Sequence, residues 1–139
     1  MALTPDDRRR LISAVEQVRG PFLVRPYGVT RSSKFWRAET PIADLRRFSI
    51  IHHFGYAGLS LGEFAEKVMR DPPAPAEAAM QQEVLEMIQV VKRGGQLNGT
   101  PIAVIRPAPQ LPLLIEGYKR SIVAIAEGRA STPMLCCEP

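Results

Sequence analysis

The residues best placed to do chemistry lie where an apolar run, Leu113-Leu114-Ile115, gives way to Glu116-Gly117-Tyr118-Lys119-Arg120. A glycine between a buried strand and a helix lets the backbone turn tightly and lets a ligand come close. The helix that follows presents unpaired N–H groups and the positive end of its dipole at that point. Lys119 and Arg120, on the first turn, oppose that dipole. Their placement is most easily explained by an anion bound nearby, which the helix start itself would favour. A tight turn with two solvated cations is the plainer alternative. Gly117, Tyr118, Lys119 and Arg120 are therefore candidate phosphate-binding residues. Glu116, just before them, is the acidic neighbour, and on the plainer reading it simply caps the strand.

Three other groups compete for attention. The segment over residues 27–40 mixes turn formers with cations and the only tryptophan; Arg31, Lys34, Trp36 and Arg37 could stack bases and hold phosphates. Its plainer reading is an irregular loop anchored on the core by Phe35 and Trp36. His52-His53 are adjacent, so a regular helix or strand cannot turn both toward one metal, and no Asp, Glu or Cys stands at ligand spacing. Cys136-Cys137 are adjacent too, and two cysteines supply neither a disulfide framework nor a zinc site.

These groups sit on a chain of 139 residues, suited to one domain, with 45% hydrophobic residues and a formal net charge of +4. That charge is compatible with a phosphate-bearing ligand and too small to establish nucleic-acid binding. The amino terminus opens with acids and arginines rather than the apolar stretch of a signal peptide. No apolar run approaches the roughly 20 residues of a membrane span. The expectation is a cytoplasmic protein with no membrane partner.

The elements that must position the candidates read as follows. Thr4-Pro5-Asp6-Asp7 starts a helix whose Leu11, Ile12, Val15 and Val18 form an apolar stripe ended by Gly20-Pro21. A short strand follows over 22–25. Thr40-Pro41 opens a short helix through Leu45 and Phe48, and Ser60-Leu61-Gly62-Glu63 is a capping box for another that runs to Met69. Asp71-Pro72-Pro73-Ala74-Pro75 is a stiff connector. Residues 76–93 carry Met80, Val84, Met87, Ile88 and Val91 at helical spacing and stop at Gly94-Gly95. Strands are expected over 101–106 and 111–116. A helix over 118–127 turns Ile122, Val123 and Ala126 inward and stops at Gly128, and a last strand covers 132–137. The result is an α+β fold in a single domain, 1–139. A helical or irregular part, 1–75, precedes a core, 76–139, that runs helix, strand, strand, helix, strand.

Order sharpens this reading. Gly95-Gln96, Pro101-Ile102-Ala103-Val104, Leu113-Leu114-Ile115, Gly117-Tyr118-Lys119-Arg120, Ala124, Gly128 and Pro133 follow one another as corresponding features do in the ParB/sulfiredoxin-like family, which the chain resembles over about residues 80–138. The resemblance implies a small mixed sheet packed with helices, and that the Gly-x-x-Arg box, here Gly117 and Arg120, holds nucleotide phosphates. It casts Glu116, just before the box, as the candidate catalytic residue, helping to place a metal-bound nucleotide. It also implies ATP or CTP with magnesium as the ligand, and NTP hydrolysis or phosphoryl transfer as the chemistry such a site would serve. The chain departs from its relatives at Tyr118, where sulfiredoxins carry their reactive cysteine and partition proteins a glutamate. Thiol chemistry of that kind is therefore not expected, nor is the helix-turn-helix region of the partition proteins. The alternative is an interaction module that keeps the fold and binds a protein or, through Arg31, Lys34, Trp36 and Arg37, a nucleic acid.

Overall fold

The computed structural model describes residues 2–18, 23–51, 56 and 58–139. Thr4 caps the first helix, α1 (Pro5–Glu16), through a reciprocal box. Its hydroxyl accepts from the Asp7 N–H at 3.0 Å and the Asp7 carboxylate accepts from the Thr4 N–H at 3.1 Å. Leu11, Ala14 and Val15 bury one face. The helix ends at Glu16, so Val18 leaves the stripe and is 72% exposed, against expectation. The proposed stop at Gly20-Pro21 lies outside the described residues, as does part of the strand expected over 22–25. In the part that is described, Leu23 and Val24 are not in a strand and Arg25 opens a 3₁₀ turn, Arg25–Tyr27, closed by Gly28 at φ 83°.

The larger correction follows. Residues expected to be an irregular loop form β1 (Lys34–Pro41), a full-length edge strand antiparallel to β5 (Ser131–Glu138), with Trp36 opposite Cys136 and Arg37 opposite Leu135. Alternating exposure of Phe35 and Trp36 on two faces hides the pattern in the sequence, but both still rest on the core. Pro41 leads into α2 (Ile42–Leu45), shorter than expected, and β2 (Ser49–Ile50) follows. The first half therefore supplies both outer strands of the sheet, and is not merely helical or irregular.

Ser60 and Glu63 form the expected capping box on α3 (Leu61–Val68), which buries Phe64, Ala65 and Val68. Then come α4 (Ala78–Lys92), β3 (Ile102–Val104), β4 (Leu113–Glu116) and α5 (Tyr118–Ala126). The sheet is mixed, ordered β1-β5-β3-β4-β2: β1 and β5 are antiparallel, β5 and β3 parallel, β3 and β4 antiparallel, β4 and β2 parallel. Pro133 fits inside β5 because β3 pairs only from Leu135 onward; the side on which proline lacks a donor faces no strand. One continuous core joins α1, the sheet and α3–α5, with Phe64, Leu114, Ile115, Ile122, Met134 and Leu135 almost wholly covered. Ala126, expected inside, is exposed; Ile125 is buried instead. The architecture is mixed α+β, and among the described residues no helix is long and apolar enough to cross a membrane.

Candidate functional site: an arginine cluster at the start of β3 and α5

Gly117 is the N-cap of α5, at φ 91° and ψ 32°. A side chain there would place its Cβ 2.7 Å from Pro101 Cα and Cβ. What comes close to this glycine is the start of β3, which is a reason for the glycine that the sequence did not show. Tyr118 turns into the core. Its hydroxyl donates to the Leu114 carbonyl at 2.5 Å and accepts from the Ile51 N–H at 3.0 Å, and burial raises its pKa. The residue is buried and its hydroxyl is turned to Leu114 and Ile51, so that hydroxyl is not available to hold phosphate. Lys119 reaches across to Glu83 on α4.

Arg120 remains, and it is not alone. It donates to the Asn98 carbonyl and lies 3.9 Å from the Glu116 carboxylate. Arg10, from α1, donates to the Thr100 carbonyl at 2.7 Å and to Glu116 at 3.5 Å. Arg37, from β1, donates to the Thr100 hydroxyl at 3.4 Å and pairs with Asp7 at 3.3 Å. Gly99 allows the crowding: a Cβ on it would stand 2.9 Å from Arg120 Nη1 and 3.2 Å from Arg10 Cζ. Burial, and then the neighbouring Arg10, lower the pKa of Arg120, with Glu116 opposing. Its Nε is buried without a hydrogen-bond partner.

Beside this cluster lies a cavity of about 300 Å³ lined by Arg37, Arg120 and Arg129, with Thr100, Thr132 and Gln96 as neutral polar groups and no acidic residue. Two like charges packed on one glycine are unfavourable in a partly dry site, and the single Glu116 carboxylate between Arg10 and Arg120 offsets only part of that. An anion of two or more charges would relieve that repulsion, and the guanidinium fork suits phosphate. Asp7 works from the far side. Burial pushes its pKa up, but hydrogen bonds with Thr4 and the Arg37 guanidinium outweigh this and hold the carboxyl below its usual value.

The sequence signalled Gly117, Glu116 and Arg120, and the structure brings Glu116 and Arg120 into the cluster. Arg10, Thr100, Gly99 and Arg129 were missed; Arg10 ends an arginine run that reads as surface charge. Arg37 was noted, but for another purpose. The four residues offered for nucleic acid do not form one surface. Arg31 pairs with Glu16, the Lys34 ammonium lies 5.2 Å from the Trp36 ring centroid, and Arg37 points from the opposite face of β1 into the cluster. His52 and His53 lie outside the described residues. Among the described residues no three His, Cys, Asp or Glu side chains gather as metal ligands. Cys136 and Cys137 are buried on opposite faces of β5, and burial pushes their thiols up to about 11 and about 12, so neither is poised as a nucleophile.

Comparison with protein-family models, curated proteins and solved structures found no match to the chain.

Proposed function

We propose that this chain binds the phosphates of a nucleotide, ATP or CTP, in the arginine-lined cavity, within a domain of the ParB/sulfiredoxin-like kind. The observation that carries this reading is the convergence of Arg10, Arg37 and Arg120, from three separate elements, on Gly99 and Thr100 beside a cavity with no acidic lining. The order of motifs from Gly95 to Pro133 supplies the nucleotide. Glu116 is engaged by two guanidiniums, so magnesium would arrive on the phosphates and keep most of its waters, as it commonly does. Positioning and charge neutralisation do most of the work in phosphoryl transfer, and this cluster supplies both. Glu116 is the acidic group within reach, and binding is the part of the chemistry the geometry supports.

Thermal unfolding tests the reading. Magnesium with ATP or CTP at about 100 times its dissociation constant would stabilise the fold by about 2.7 kcal/mol. For a chain of this size that raises the Tm by roughly 8 °C. Arg120→Ala and Arg129→Ala should each lose most of the rise. If neither nucleotide shifts the wild type, or if the arginine variants respond in full, the proposal is wrong.

A further inference from the structure

We infer that the cavity between α4 and α5 is a nucleoside subsite, with Met80 and Met87 receiving the base while the arginine cluster holds the phosphates. This rests on the phosphate-binding reading and adds to it a second, chemically different subsite.

The cavity measures about 350 Å³, within the range of small-ligand sites. Its walls are Met80 and Met87 on one side and the chain from Glu116 to Arg120 on the other. The two methionines are seven residues apart, hence on one face of α4 two turns apart. Val84 and Ile88, between and beside them, close fully on the core, whereas the methionines stay partly open. Lys119 also lines the cavity and is paired with Glu83 on α4. Thioethers are soft and polarisable and make favourable contacts with aromatic rings. A flat heteroaromatic base suits such a wall; a second phosphate does not.

Arg120 lines both cavities, so a ligand that spans them would pass it. Its Nε is buried and lacks a partner, a donor that a phosphate or sugar oxygen reaching it would satisfy. Glu116 also lines the methionine cavity, and its carboxylate can accept from sugar hydroxyls. An elongated ligand anchored at Arg120 therefore meets charge on one side and apolar wall on the other, which is the polarity of a nucleotide.

Calorimetric titration of magnesium-ATP and of magnesium-tripolyphosphate into the full chain tests this, using wild type, Met87→Gln and the double variant Met80→Gln/Met87→Gln. Wild type should bind ATP about tenfold or more tighter than tripolyphosphate. The double variant should erase that preference while tripolyphosphate affinity stays the same, and Met87→Gln should fall between. Both methionines are partly exposed, so the single variant is expected to fold even if the double one does not. Equal affinity for ATP and tripolyphosphate in wild type overturns the subsite and leaves the phosphate reading standing. So does an ATP preference untouched by Met87→Gln. If neither probe binds, and magnesium-CTP does not bind either, both are overturned.

Discussion

Substituting Gly117 by alanine separates two explanations of that glycine. If it is there for ligand approach, alanine spares the fold and harms binding; if it is there for Pro101, alanine harms the fold. Two costs can be worked out. An L residue in the left-handed region costs about 1–2 kcal/mol, and Gly117 sits there at φ 91°. The new methyl would stand 2.7–2.9 Å from three Pro101 atoms, and neither backbone nor a proline ring can swing aside. Overpacking of this kind adds about 1–3 kcal/mol. Moving Pro101 also strains the sheet, because its carbonyl accepts from the Leu135 N–H at 2.8 Å. Gly128→Ala is the control: φ is +66° and no atom lies within 4 Å, so only the backbone cost applies. In urea, with an m-value near 2 kcal/mol/M, the midpoint should fall by about 1–2.5 M for Gly117→Ala and about 0.5–1 M for Gly128→Ala. Equal losses in the two variants would refute the Pro101 contact as the reason for the glycine.

Two further outcomes are expected. Asp7→Asn leaves Arg37 without its carboxylate and should cost about 1–2 kcal/mol near pH 7, at the low end for a charged hydrogen bond because the separations are 3.3–3.4 Å. The folded pKa of Asp7 is depressed, so its contribution is complete above the unfolded value near pH 4 and fades as pH falls through the folded value. Urea midpoints of wild type and variant should therefore differ at pH 6 and converge toward pH 2; a constant gap contradicts the assignment. Tyr118→Phe strands the Ile51 N–H in the core and should cost about 1–3 kcal/mol in the same assay. It should leave the thermal shift with ATP or CTP unchanged, whereas a lost shift in a folded variant would return the hydroxyl to the ligand site.

The second half of the fold was legible because its signals are local. Met80, Val84 and Ile88 repeat at helical spacing, Pro101 and Pro133 stand at or near strand starts, and Gly117 and Gly128 bracket α5. β1 was not legible, for a physical reason. An edge strand with a partly covered residue on each face shows no clean alternation, and Lys34, Arg37 and Glu39 give it the composition of a loop. Only pairing with β5, nearly a hundred residues later, fixes its conformation. β2 is two residues long, too short for any periodic signal.

The site divides along the same line. A Gly-x-x-Arg box predicts a helix start with two cations facing an anion. In the folded chain Lys119 is taken by Glu83, Tyr118 by the core and Gly117 by Pro101, so the box contributes Arg120 to the cluster, with Glu116 just before it. The missing charge comes from α1 and β1, through Arg10 and Arg37, and both are held by Thr100 on the loop before β3. No spacing rule links positions 10, 37, 100 and 120, because only the packing of α1 across β1 and β5 brings them together. Asp7 shows how closely that packing is tied to the cluster: the carboxylate that caps α1 is the one that holds Arg37. Local sequence therefore locates one corner of the arginine cluster, and the first forty residues complete it.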